Sequence, residues 1–268
     1  VSTNPRSVSA PARALSFLAR LLLLPALLVG VWWWAASGEG SFYLPTPGTV
    51  ATTFGEVWLS ERFLTDALPS IGLLLTGFAL AAVLGVGAGV ALGLSRTLRD
   101  LTEPVLEFLR AVPPPVLVPL LMLLVGLDST MRVAVIASGC VWPVLLNTIE
   151  GVRSVDPVLS DTCRVYRIRG RRRLTTLVLR SASPQIMTGL RQALSIAVIL
   201  MVISEMFASS SGLGFAVVQF QRGFAIPEMW TGIVLLGLLG VALSLLFGQV
   251  EKRVLSWHRG LRATARGG

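Results

Sequence analysis

The chain has 268 residues, 53% hydrophobic and only 14% charged, with a mean hydropathy of +0.74. A water-soluble domain of this length needs a far more charged surface, so composition points to a membrane protein. The formal charge of +9 is carried almost wholly by arginines set between long uncharged runs, unlike the basic face of a nucleic-acid-binding domain.

A membrane-crossing helix needs roughly 20 mostly apolar residues. Six runs answer to that: about Phe17–Ala36, Ile71–Leu94, Ala111–Leu127, Met131–Ile149, Ile186–Ala208 and Met229–Phe247. The first reads as a retained anchor rather than a cleaved signal peptide. It continues through Trp32, Trp33 and Trp34, which suit a membrane interface, and no small-residue cleavage pattern follows. The third is short and carries Pro113, Pro114, Pro115 and Pro119, so a kinked or partly unwound start is expected there. In the second, Gly77, Ala81, Gly85, Gly89 and Gly93 recur every four residues and put small side chains on one helix face. The sixth repeats this briefly with Gly240, Ser244 and Gly248. Both stripes predict close helix packing, within the chain or against a second copy.

The expected fold is therefore an all-α membrane protein of six transmembrane helices. Residues 1–16 form an N-terminal arm, 17–249 the membrane domain and 250–268 a basic tail. Arginine placement orients it. Arg6 and Arg13, then Arg96, Arg99 and Arg110, then the 150–185 connection, and last Lys252, Arg253, Arg259, Arg262 and Arg266 all fall on one side if there are six crossings. The opposite connections carry only Arg62, Arg132 and Arg222. Both termini are thus expected in the cytoplasm.

Chemistry is sparse. A phosphate-cradling GxxxxGK[ST] loop needs a lysine after glycine, but the lone lysine, Lys252, follows Glu251. Any ATP must be handled by another polypeptide. Cys140 and Cys163 have neither metal-ligand nor CxxC spacing, and the single His258 lies among tail arginines, so a metal site and a catalytic triad are not expected. Ion-coupled carriers bury charge in mid-membrane; here the spans are almost free of it, and the charges noted in them, Arg20, Arg191 and Glu205, lie near span ends. Arg20 is placed to snorkel to the interface. Glu205 reads first as a structural carboxylate bonded near Ser209–Ser211, with a pore or gate role as the alternative. Asn147 and Ser204 are the other pore or gate candidates.

The charge concentrates in SDTCRVYRIRGRRRLTTLVLRSASP, where Arg164, Arg167, Arg169, Arg171, Arg172, Arg173 and Arg180 fall between the fourth and fifth runs. Topology alone needs far fewer. Val165, Tyr166 and Ile168 among these arginines offer apolar anchors with a charged rim, the make-up of a protein-docking surface; anionic lipid is a further contributor.

The chain resembles the inner-membrane permease subunit of binding-protein-dependent ABC importers, in the branch handling nitrate, sulfonates and taurine. FYLPTPGTV, LGLSRTLRDLTEPVLEFLRAVPPPVLVPL, VWPVLLNTIEGVRSVDP, SPQIMTGLRQAL and SEMFASSSGLGFAV carry the resemblance, in the right order, from about Tyr43 to Phe247. The family's signature is Glu-Ala-Ala, three residues, then Gly, with a later Leu-Pro and a second Pro. Here Asp161, Thr162 and Cys163 stand at Glu-Ala-Ala, Arg167 at the glycine, Arg180 at the first proline and Pro184 at the second. Leu174, Leu179, Gly189 and Arg191 fit the branch, and Gly170, three residues late, is a candidate displaced turn.

The resemblance implies a type I-like importer fold in which 150–185 is a loop with a short helix that couples to an ATPase. The residues implied are Asp161, Thr162, Cys163, Tyr166, Arg167, Ile168, Gly170, Leu174 and Pro184. It implies two ATPase subunits carrying ATP and Mg, a second permease copy, an extracytoplasmic solute-binding protein and surrounding lipid, with no cofactor on this chain and no nucleic acid. A secondary carrier or passive channel working without an ATPase is the alternative.

Overall fold

A computed structural model describes the backbone of residues 10–38 and 42–257, with side chains from residue 23 onward except at 208. Arg6, Arg13, Arg20, His258, Arg259, Arg262 and Arg266 lie outside the described side chains. All regular structure among the described residues is helical.

Helix α1 (Ala10–Ala36) contains Pro25 and ends at the tryptophans. Trp32 stacks on Trp230, with centroids 5.4 Å apart, and donates to the Pro45 carbonyl at 3.1 Å. Trp230 in turn donates to the Tyr43 carbonyl at 3.1 Å. These two indoles pin the FYLP segment to the bundle. Helix α2 (Pro47–Trp58) starts at the Thr46 cap, whose Oγ1 accepts from Thr49 N–H at 3.2 Å. It buries Trp58, whose Nε1 donates to Thr231 at 2.9 Å.

A π-helical turn, Phe63–Ala67, runs directly into α3 (Leu68–Leu94). Helix α4 (Arg96–Ala111), capped by Ser95 Oγ, buries no residue and lies on the surface. The prolines then break the chain. A 3₁₀ turn at Pro114–Val116 leads into α5 (Leu117–Val125), bent 75° from α4. The third expected span, Ala111–Leu127, is thus not one helix: nine residues of α5 cover about 14 Å, half a hydrocarbon core. Proline removes donors and fixes φ, so apolar content here did not translate into helix length.

Helix α6 (Ser129–Arg153) begins at Asp128, which accepts from the N–H groups of Thr130 and Met131 at 2.9 and 3.2 Å. The connection that follows holds α7 (Pro157–Val165) and α8 (Gly170–Arg173), and a second π-helical turn, Leu174–Val178, leads into α9 (Leu179–Ala208). Helices α10 (Leu213–Arg222) and α11 (Ile226–Val254) complete the described chain.

Among the described residues, four helical stretches are long and apolar enough to cross a membrane: Phe63–Leu94, Ser129–Arg153, Gly170–Phe207 and Ile226–Val254. The bent α4–α5 pair makes five if it is one span. A count of six also requires α1, whose described side chains cover only Leu23–Ala36. The four clear spans all begin before the expected runs, because hydropathy registers the apolar stretch and not the helical turns continuing beyond it.

The core is a three-helix sandwich with α6 between α3 and α9. The glycine stripe of α3 faces α6. A Cβ built on Gly77, Gly85, Gly89 or Gly93 would come within 2.5–2.8 Å of Ile136, Val144, Thr148 or Val152. The stripe therefore serves packing inside the chain, where bare backbone lets β-branched side chains seat against it. From the other side, a Cβ on Gly189 of α9 would lie 2.6 Å from the Pro143 carbonyl. The α11 stripe differs: Gly240 has open space where a Cβ would stand.

Candidate functional site

Local capping shapes the α6–α9 connection. Asp156 caps α7, its Oδ1 accepting from Val158 N–H at 2.7 Å, with Pro157 at the first helical position. The helix closes with a paired motif: Ile168 N–H reaches the Cys163 carbonyl at 2.8 Å and Arg167 N–H the Arg164 carbonyl at 3.1 Å. That closure puts the residue between helix and exit in the left-handed region, and Arg167 sits there with φ +55°. The arginine at the signature's glycine position thus holds the conformation glycine favours, at a cost of about 1 kcal/mol. Gly170 also has φ +55°, at the start of α8, so the later glycine forms a second turn and does not replace the first.

The expected coupling residues divide by face. Val158, Asp161, Thr162 and Val165 follow helical spacing on the exposed side of α7, and Tyr166 extends the patch. Val165 is 77% exposed and Tyr166 74%. Asp161 pairs with Arg164 at 3.0 Å. Cys163 faces inward and is buried, while Leu174 packs against the small cluster of Val152, Val178 and Ala182. Ile168, expected as an outward anchor, is half-buried at the helix closure instead. Its place after the left-handed residue turns its N–H back to the Cys163 carbonyl, and its side chain lines a cleft with Ser160, Arg164 and Arg173.

Pro184 lies inside α9 and leaves the Arg180 carbonyl without its helical donor. Ser183 Oγ donates to that carbonyl at 2.8 Å. Arg180 itself is exposed and lies inside continuous helix, where a proline would remove an N–H.

The pore and gate candidates lie elsewhere. Asn147 Nδ2 donates to the Pro143 carbonyl at 2.8 Å and to Gln192 Oε1 at 3.3 Å, joining α6 to α9 at a half-buried position. Ser204 is fully buried and bonds its own helix at the Met201 carbonyl. Glu205 is 1% exposed and anchors a network. Its Oε1 accepts from Ser70 at 2.6 Å and its Oε2 from Gly214 N–H at 2.9 Å. Ser70 Oγ accepts from Leu213 N–H at 3.0 Å, and Asp66 Oδ1 from Gly212 N–H at 3.0 Å. Arg62 pairs with Asp66 at 3.4 Å and lies 4.6 Å over the Phe220 ring. Glu205 thus ties α3 to the α9–α10 turn, as expected of a structural carboxylate, though it bonds Gly214 rather than Ser209–Ser211.

Sequence reading missed Ser70, Asp66, Gly212 and Gly214. The available signal was the pair of glycines in SGLG beside a span-end carboxylate. Gly212 has φ +109°, and a Cβ there would stand 2.6 Å from the Glu205 carboxyl carbon. The other charge noted within a span, Arg191, is met by Glu251 of α11 and lies 5.8 Å over the Phe247 ring.

The described residues thus form a bundle of long apolar helices with a proline-broken stretch and a short capped helix between two core helices, the architecture of a polytopic membrane protein. The model for the "Binding-protein-dependent transport system inner membrane component" family matches residues 81–256, and the chain belongs to that family. It is an inner-membrane permease of the ABC importer type, in the branch that includes sulfonate and taurine permeases. It is 32% identical over 240 residues to SsuC of Bacillus subtilis (strain 168), named for aliphatic sulfonates transport, covering 88% of this chain and 87% of that one. Against the taurine transport system permease protein TauC of Escherichia coli (strain K12) it is 28% identical, covering 87% of each. Against the bicarbonate transport system permease protein CmpB of Synechococcus elongatus it is 27% identical, covering 74% and 71%. Its fold matches a chain of the inward-facing MetNI methionine ABC transporter with TM-score 0.60 at 16% identity, over 70% of this chain and 94% of that one.

Proposed function

We propose that this chain forms half of the translocation path of an ABC importer for a small, anion-like organic or inorganic solute of the sulfonate, taurine and nitrate class. In this reading it works as a homodimer, with two ATPase chains that carry ATP and Mg, and with an external binding protein that delivers the solute. Both termini and the α6–α9 connection face the cytoplasm. The relatives named for aliphatic sulfonates, taurine and bicarbonate support the solute class.

The carrying observation is the surface of α7. Val158, Val165 and Tyr166 stand exposed on a short capped helix flanked by arginines. Leaving such apolar area in water is unfavourable, and an apolar centre with a charged rim is what a docking partner covers. Asp161, Thr162 and Tyr166 make the contact; Cys163, Arg167, Ile168, Gly170, Leu174 and Pro184 set its shape. ATP-driven closure of the ATPase pair then shifts the bundle between two arrangements by preferring one docked geometry. Asn147, with Gln192, faces the path, while Ser204 and Glu205 hold the far-side gate from within.

Tyr166→Glu tests this. The variant is expected to keep its unfolding temperature and lose both ATPase co-purification and ATP-dependent uptake. Unchanged uptake with unchanged co-purification overturns the docking assignment. Uptake by this chain alone in liposomes without ATP overturns the importer reading in favour of a secondary carrier.

A further inference from the structure

At the arginine-rich end of the bundle, a cleft of about 590 Å³ opens between the α3–α4 elbow, the end of α6 and the α7–α8 segment. Arg96, Arg99, Arg153 and Arg173 line it, and no acidic side chain is among its lining residues. These four come from three separate helices, Arg96 and Arg99 from α4, Arg153 from α6 and Arg173 from α8, brought together by the fold. Gly93 is the cause: a Cβ there would stand 2.7 Å from Val152, so the ends of α3 and α6 approach closely and their following arginines converge.

Existing partners leave much of this charge unmet. Arg153 has only Glu150 on its own helix, at 3.8 Å, and Arg173 donates to the neutral Ser160 at 3.0 Å. Arg96 and Arg99 have no acidic partner among the described residues. Arg99 and Arg173 are half-buried, and Leu94, Val152 and Val178 form apolar walls, which weakens screening by water and salt. Four guanidinium groups around one cleft repel each other unless an anion sits between them. The planar fork of arginine matches the oxygens of a tetrahedral oxyanion two at a time.

We propose that this cleft is an oxyanion-binding site, taking a phosphate-like group beside the docking helix. The group has two sources: the headgroup of an anionic phospholipid at the bilayer surface, or a free oxyanion in the aqueous phase. Because Arg173 and Ser160 form one wall, occupancy fixes α7 and α8 against the end of α6. The site stands apart from the importer reading, since it needs no ATPase and no transported solute.

The test uses the purified full chain in nanodiscs. Thermal unfolding is followed in phosphatidylcholine discs with inorganic phosphate against sodium chloride at equal ionic strength, and in discs containing phosphatidylglycerol. The wild type is expected to unfold at higher temperature with one of the two. A rise with phosphate in phosphatidylcholine discs assigns a free oxyanion, and a rise with phosphatidylglycerol alone assigns the headgroup. Arg96→Gln/Arg99→Gln, and the milder Arg99→Gln alone, are expected to shift the midpoint of that response by about tenfold or more. Their unfolding temperatures without anion show that they fold. No rise with either source, or equal responses in wild type and both variants, overturns the proposal. So does a variant that keeps its anion response and loses only ATPase co-purification, which makes the cleft a protein contact.

Discussion

The two ends of α9 handle polar groups in opposite ways. At the α9–α10 turn, Glu205, Ser70 and Asp66 all find partners in the same chain, and Gly212 and Gly214 give up side chains to make room. In the α6–α9 connection, capping and closure bonds are satisfied, yet Val158, Val165, Tyr166 and most arginines point outward. One end is finished by the fold. The other is shaped by the fold and left for something else to cover. A surface completed only in an assembly keeps its backbone ordered by local bonds and holds its side chains free, as α7 does.

That contrast can be broken most forcefully at Glu205. Glu205→Leu strands the Gly214 N–H in a buried site, at a cost of about 1–3 kcal/mol, and leaves the Ser70 hydroxyl only the Asp66 carbonyl to donate to. A large drop in unfolding temperature in detergent is expected, and a drop no larger than that of Tyr166→Glu would erase the distinction between the ends. Next comes Ile168→Glu. Because Ile168 is half-buried at the helix closure, this variant is expected to lose stability as well as docking, by about 1–3 kcal/mol, whereas Tyr166→Glu loses docking alone. Equal stability of the two returns Ile168 to the outward face.

Arg167→Gly sharpens the comparison in the other direction. Glycine removes the left-handed strain, so the connection is expected to gain about 1 kcal/mol, read as slower hydrogen exchange at Ile168. Faster exchange there would mean that the arginine side chain holds the turn. The smallest effect belongs to Ser183→Ala, which leaves the Arg180 carbonyl unpaired near Pro184 and is expected to cost about 0.5–1.5 kcal/mol.

Much of this was legible in sequence because it follows from apolar length and charge placement. The spans around Gly85, Val144, Ala197 and Leu236 are long continuous runs, and the arginine cluster marks the connection between α6 and α9. The broken start of the third run was legible from Pro113, Pro114 and Pro115, but the size of the bend and the shortness of the helix after it were not, because apolar content does not report them. Nor were the π-helical turns before α3 and α9, since one extra residue per turn barely alters a periodic pattern. At the site, Val165 and Tyr166 were legible as apolar anchors among arginines and the short helix came with the family resemblance, but the half-buried position of Ile168 depended on Arg167 taking positive φ, which arginine seldom does. The Glu205 network joins residues 135 positions apart, and no local pattern pairs Ser70 with Glu205.

The regular seating of Gly77, Gly85, Gly89 and Gly93 against Ile136, Val144, Thr148 and Val152 has a mechanical consequence. These contacts act as the teeth of a rack. A slide of α3 along α6 by less than the roughly 6 Å between Gly85, Gly89 and Gly93, or the roughly 12 Å from Gly77 to Gly85, drives a β-branched side chain into backbone. The pair therefore resists shear and moves as a strut. A push delivered at the Arg153 end reaches the Ser70 end with its length undiminished, and any give in the molecule must be found at the proline break before α5 or along the loosely seated α11.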